Sequence, residues 1–167
     1  MPVPTSAARF PLQVRFGDID AYGHVNNVTY FSYFEDARVQ LHQLPADPAD
    51  PSGPTLRDLF GCGNFMLVAG QEIEYRAPLV LRREPVCVNV WVAHLGGSSF
   101  RLGYTVAEPD ESATYAVGAS TMVLADRASG HPVQLPEDYR AALQRFAGPE
   151  VAFRRLAPAA DGRQQGA

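Results

Sequence analysis

Between Phe10 and Phe146 only one stretch has the length and pattern of a helix of several turns. From about Asn27 to Leu44, Tyr30, Phe34, Ala37, Leu41 and Leu44 fall on one stripe and Phe31 widens it, while Glu35, Asp36, Arg38 and Gln40 lie mainly off it. Around this helix the chain alternates with period two. Phe10, Leu12, Val14 and Phe16 predict a short first strand. Later, Ile73, Tyr75, Ala77 and Leu79 alternate with Glu72, Glu74 and Arg76, and Val86, Val88, Val90 and Val92 alternate with Cys87, Asn89 and Trp91. Gly96-Gly97 is a hairpin signal before Phe100, Leu102, Tyr104 and Val106. A run of small and apolar residues from Ala113 to Ala125 predicts a strand buried on both faces. One long apolar helix and several antiparallel strands imply an α+β domain in which the sheet curls around the helix.

Shorter signals fill in the remainder. Pro45 stops the long helix, and Asn26 or Asn27 is placed to cap its start, because a short side-chain oxygen accepts a free first-turn N–H. Thr55 is expected to cap a short helix that Gly61 ends, and Pro136 to Phe146 reads as a closing helix. Residues 1–9 and 157–167 are small, polar and unpatterned, and are expected to be flexible tails around a single domain spanning 10–147.

Charge and composition exclude several function classes. The net charge of −4 is spread along the chain and forms no basic stripe, so no nucleic-acid partner is expected. Cys62 and Cys87 are too far apart for a paired metal motif, and His24, His42, His94 and His131 lack ligand spacing, so no metal is expected. No apolar run approaches the ~20 residues of a membrane span, and the N-terminus lacks the apolar region of a leader, which makes the cytoplasm the expected location.

The chemically informative stretch is RFGDIDAYGHVNNVTYFSYFEDAR, Arg15 to Arg38. It sets two carboxylates, a Gly and a His in a turn that feeds into a helix start. A helix N-terminus offers unpaired N–H groups and a partial positive charge that can hold an oxyanion. A carboxylate just before it can attack a carbonyl, or activate water, while those N–H groups polarise the carbonyl oxygen. The same residues also suit a plain turn and cap, and the two readings stay open on the residues alone.

Within that stretch, DxDxxGHVNNxxYxxYFExAR resembles the signature of the 4-hydroxybenzoyl-CoA thioesterase-like group of hotdog-fold acyl-CoA thioesterases. The resemblance continues through EIEYRAPL, LGGSSFRLGY and the strand ending in VLAD, and covers roughly residues 10–147. It implies a hotdog fold, a long central helix wrapped by a curved antiparallel sheet of about five strands. It also implies homodimers or homotetramers joined through their sheets, with active sites at the subunit interface. The activity implied is hydrolysis of an acyl-CoA or acyl carrier protein thioester, without cofactor. The catalytic acid of the group falls on Asp20, as nucleophile or general base, and the backbone N–H near Asn27 takes the oxyanion. Asp18 is left to order the turn. His24 either touches the thioester carbonyl or its water, or orders the loop.

The resemblance also implies binding residues. Tyr30 and Phe34 line an acyl pocket or form plain core. Ser98 and Ser99 stand where relatives contact the CoA arm. Relatives often carry a Lys or Arg beside those serines where this chain has Gly96-Gly97, so Arg82, with Arg83 and Arg101, is the candidate phosphate contact. RREP likewise replaces a Gly-Asp turn. A helix carboxylate does the catalytic work in some branches, but Glu35 is expected to pair with Arg38 one turn on, an interaction of about 0.2–0.5 kcal/mol. The alternatives are a non-catalytic acyl-CoA-binding hotdog module and, further off, a hotdog dehydratase.

Overall fold

The computed structural model describes residues 2–154. In chain order the regular elements are β1 (Ala8–Leu12), α1 (Thr29–Gln43), β2 (Asn64–Tyr75), β3 (Val86–Leu95), β4 (Ser99–Ala107), β5 (Thr114–Asp126) and α2 (Glu137–Gln144). The strands pair antiparallel in one sheet of order β1-β3-β4-β5-β2. The expected α+β arrangement is therefore present, with α1 against the inner face of a curved sheet.

The order is not a simple meander. β3, β4 and β5 follow one another through hairpins, whereas β2 lies beyond β5 at one edge and β1 beside β3 at the other. β1 also differs from expectation. It pairs Ala8 to Leu12 with Val90 to Val86, so it starts inside the segment expected to be a tail, and Ser6 Oγ donates to Ala147 O at 2.6 Å. Ladder pairing uses backbone groups, so Ala8 and Arg9 need no apolar pattern to join it. The alternation that continued to Phe16 is misleading, because Phe16 opens a 3-10 turn over Phe16–Asp18 and is 83% exposed. The tail expected over 157–167 lies outside the described residues.

Inner-face side chains fill the core. Val86, Val88, Val90 and Val92 meet Phe34, Ala37 and Leu41 of α1, and each is buried. Burying a valine contributes roughly 1.5–3 kcal/mol, so β3 is a main anchor of the sheet. Phe34 stacks on Tyr104 with ring centroids 4.6 Å apart and also covers Gly118, the cross-strand neighbour of Tyr104. A Cβ at Gly118 would stand 2.3 Å from Phe34 Cε2 and 3.0 Å from Glu72 O. Gly118→Ala is therefore expected to destabilise the protein by about 1–3 kcal/mol through overpacking. Chemical denaturation checks this; an unchanged midpoint would mean that Phe34 does not lie over Gly118.

The outer face is covered as well. Trp91, Val117 and Ala119 form a second small cluster with Val151, and Phe153 packs against it. This cover comes from residues 147–154, held by Gly148 N–H to Val92 O (2.9 Å), Trp91 Nε1–H to Pro149 O (2.7 Å) and Arg76 Nη2 to Ala152 O (2.9 Å). Among the described residues no helix is long and apolar enough to cross a membrane.

Candidate active site

The turn before α1 is a small knot of hydrogen bonds. Asp18 is 6% exposed, and its Oδ2 accepts from Arg15 N–H and Tyr33 Oη–H, each at 2.8 Å. Its backbone O accepts from Asn26 N–H at 2.8 Å. Asp18 thus ties the turn to α1, which is the ordering role expected of it. Asn26 Oδ1 accepts from Val28 N–H at 2.9 Å, while the cap position itself is Val28, beyond both expected residues, Asn26 and Asn27.

Two residues on, Asp20 is held differently. Its N–H donates to His24 O (2.9 Å), and its O accepts from Gly23 N–H (3.1 Å), where Gly23 takes φ +83°. That left-handed conformation suits glycine and lets the loop close on itself. Asp20 Oδ1 accepts from Tyr22 N–H at 2.8 Å and faces His24 N–H at 3.4 Å. Oδ2 has no hydrogen-bond partner among the described residues. One carboxylate oxygen is oriented and the other is free.

Asp20, His24, Asn27 and Tyr30 line one open cavity of about 400 Å³, together with Tyr75, Arg76 and Leu79. The opposite wall is latched on by Val25 N–H to Leu79 O at 2.7 Å. Asn27 O accepts from Tyr75 Oη–H at 2.8 Å, and its N–H has no partner among the described residues. Burial, then the neighbouring Tyr75 and Tyr115 hydroxyls, push the Tyr30 pKa up to about 12. Tyr30 therefore stays neutral, and Asp20 is the only carboxylate lining the cavity among the described residues. His24 is exposed, and its imidazole makes no hydrogen bond among the described residues.

The other candidate residues sit elsewhere. Phe34 is fully buried core under β4 and β5. Ser98 and Ser99 stand at the β3–β4 hairpin, where Ser98 O accepts from Leu124 N–H (3.0 Å) and Ser99 O from Gly96 N–H (2.8 Å). Neither lines the Asp20 cavity of its own chain. Arg82 is engaged inside the fold, paired with Glu108 and 3.1 Å from Tyr115 Oη. Its guanidinium holds the Glu108 carboxyl below the ordinary carboxylate range, so a phosphate contact would have to draw Arg82 from that pair. Glu35 pairs with Arg38 at 3.6 Å, as expected. Tyr75 and Ala77–Leu79 went unnoticed as cavity wall; the EIEYRAPL match was the available signal.

Lower on α1, His42 is 8% exposed, with Nδ1 2.8 Å from Arg38 O and Nε2 2.8 Å from Tyr139 Oη. A carbonyl only accepts, so Nδ1 carries the proton and Nε2 accepts from the tyrosine hydroxyl. Burial pushes the imidazole pKa below its ordinary value of about 6.5. Below about pH 6.5 the unfolded chain takes up a proton that the folded one refuses, so stability falls as the pH falls. The thermal midpoint is expected to drop from about pH 7 to 5.5, and a His42→Phe variant, though less stable at pH 7, to lose most of that slope. An equal slope in both proteins would assign the pH dependence to other groups.

The model of the thioesterase-like superfamily matches residues 14–143, from just beyond β1 into α2. The chain belongs to this superfamily. Thioester hydrolysis is the activity class that this membership carries. Among curated proteins, the uncharacterized protein YsmA of Bacillus subtilis is 29% identical over 132 residues, which are 79% of this chain and 82% of YsmA. A thioesterase from Thermus thermophilus, solved in complex with coenzyme A and Zn, is 30% identical with a TM-score of 0.64, covering 84% of this chain and 94% of that one. The PA5185 protein of Pseudomonas aeruginosa is 28% identical with a TM-score of 0.67, covering 84% and 91%. The superfamily match includes the whole Asp18–Arg38 turn and helix.

Proposed function

We propose that the protein hydrolyses an acyl-CoA thioester to a free acid and a thiol, with Asp20 acting on the carbonyl carbon. The observation that carries this reading is a carboxylate with one oxygen oriented by backbone N–H groups and the other without a partner among the described residues, in a cavity also lined by Asn27, whose N–H has no partner among those residues. As nucleophile, Asp20 Oδ2 bonds to the carbonyl carbon and the C–S bond breaks, leaving a mixed anhydride that water cleaves. As general base, it takes a proton from water, whose oxygen displaces the thiolate. In both routes the Asn27 N–H meets the developing oxyanion. His24, at the cavity mouth, is free to orient water or the thioester carbonyl.

Tyr30 is assigned to the acyl wall of the cavity that Asp20 lines, and Ser98, Ser99 and Arg82 to the CoA arm. Because the serines stand away from Asp20, this assignment needs a second subunit. β2 offers it a place: an edge strand of 12 residues, unpaired on one side, with Leu67, Val68 and Tyr75 exposed. A homodimer or homotetramer in the cytoplasm is the accompanying expectation, its subunit number read from the intact mass of the assembly. Free-thiol release from short, long, branched and aromatic acyl-CoAs tests the activity. Acyl-CoA that binds without releasing thiol in any member of that series would overturn it in favour of a binding module.

A further inference from the structure

The chain has seven tyrosines, and the hydroxyl of Tyr30 is placed unlike the other six. Tyr33 donates to Asp18 Oδ2, Tyr75 to Asn27 O and Tyr139 to His42 Nε2, each at 2.8 Å, and Tyr115 donates to Glu108. Tyr22 is 86% exposed and meets water, while Tyr104 Oη is wholly enclosed by protein. Tyr30 fits none of these cases. It is 3% exposed and lines the Asp20 cavity, and its hydroxyl makes no hydrogen bond among the described residues. Unlike Tyr104 Oη, it is not sealed off from solvent, so it opens onto that cavity.

The helix sets this placement. Tyr30 is the second residue of α1, and a long helical side chain leans back over the turn that precedes its own Cα. That turn holds Asn27. The Tyr30 ring meets Tyr75 edge-on with centroids 5.3 Å apart, and Tyr75 is the residue that holds Asn27 O. Asp20 Oδ2 and Tyr30 Oη share the cavity without bonding to one another. Together they complement a carbonyl group: a carboxylate oxygen attacks an electron-poor carbon, and a phenol O–H donates to the oxygen attached to it. With its pKa pushed up to about 12, the hydroxyl is a donor at any neutral pH. A buried hydroxyl without a partner otherwise only costs stability, which points to a ligand as the missing acceptor.

We propose that Tyr30 Oη–H is a second donor to the thioester carbonyl oxygen, beside Asn27 N–H, and so a catalytic residue in the hydrolysis. Tyr30 keeps its proton throughout. Its hydrogen bond strengthens as Asp20 Oδ2 or a water oxygen adds to the carbon and negative charge builds on the carbonyl oxygen. It relaxes when the carbonyl re-forms and the C–S bond breaks. This role rests on the acyl thioester proposed above as ligand.

Tyr30→Phe tests it, because the change removes one oxygen and keeps the ring against Tyr33 and Tyr75. The thermal midpoint should match or exceed that of the wild type, since no hydrogen bond within the protein is lost. The kcat for acyl-CoA hydrolysis is expected to fall at least about tenfold, toward the roughly 10²–10³-fold that follows loss of one oxyanion donor, with KM little changed. A ring that only walls the cavity predicts an unchanged kcat. A fall of less than about tenfold, or an effect on KM alone, would overturn the proposal. Calorimetry supplies a readout without turnover. The ketone analogue of hexanoyl-CoA, with a methylene in place of sulfur, should bind Tyr30→Phe about threefold or more weakly than wild type. S-Hexyl-CoA, which has no carbonyl oxygen, should bind both proteins equally. A wild type that releases no thiol yet shows this difference would sink the hydrolytic reading and leave Tyr30 as a carbonyl donor. Thiol release with kcat and ketone affinity equal in the two proteins would remove Tyr30 and leave Asp20 in place. No binding of either analogue beside no thiol release would overturn both.

Discussion

Asp20→Asn is expected to lower acyl-CoA turnover by at least about 10²-fold, the lower end of what a positioned acid–base group contributes. Asn is nearly the same shape, and its side-chain oxygen can still accept from Tyr22 N–H, so the turn from Asp20 to His24 should close as before. The variant loses the negative charge on the free oxygen, which is what attack on a carbonyl or on water requires. The loss should therefore appear in kcat, with KM and thermal midpoint close to wild type, since the apolar cavity walls are untouched. Near-normal hydrolysis by a folded Asp20→Asn protein would remove Asp20 from the mechanism. Asp18 is not an equivalent target, because it is buried, with Oδ2 accepting from Arg15 N–H and Tyr33 Oη–H and Oδ1 3.6 Å from Arg15 Nε.

Trp91→Ala is expected to cost about 3–5 kcal/mol of stability, the range for deleting a fully buried large aromatic side chain. Trp91 sits opposite Gly103 in the β3–β4 ladder, and its ring fills the space that a side chain there would take. A Cβ on Gly103 would come within 2.5 Å of Trp91 Cε2, and one on Gly148 within 2.5 Å of Trp91 Cδ1. The ring is thus sandwiched between β4 and the segment of residues 147–154. Removing it leaves a cavity and also frees the Pro149 carbonyl that its indole N–H reaches. Trp91→Phe keeps an aromatic plate and loses only part of this, so it should cost clearly less than the alanine change. Urea denaturation measures both, and in the wild-type protein the emission of this single tryptophan reports the same transition. A cost under about 1 kcal/mol for the alanine variant would show that this segment does not pack on the outer face.

The long helix was legible because its stripe at Tyr30, Phe34, Ala37 and Leu41 repeats at the helical period, and the structure buries all four. β3, β4 and β5 were legible as alternating or continuous apolar runs bounded by Gly and by acidic turns. β2 was not legible along its length. Asn64 to Gly70 carries no alternation, and it becomes a strand because β5 offers it a ladder, with Asn64 opposite Asp126. Phe16 was misread for the opposite reason: a side-chain pattern persisted beyond the point where the backbone loses its partner.

By itself, the sequence determined the class of fold and singled out the turn proposed to carry the chemistry. Periodicity is a local property of the chain, and the turn before α1 closes through hydrogen bonds between near neighbours such as Asp20, Tyr22 and His24. Only the tertiary structure decided what surrounds that turn. It brings Tyr75 and Leu79 across to wall the Asp20 cavity, commits Arg82 to Glu108, and carries residues 147–154 over Trp91. These are meetings of residues distant in the chain. No local pattern encodes them, because each depends on strand order and register that are fixed when the whole apolar core is buried together.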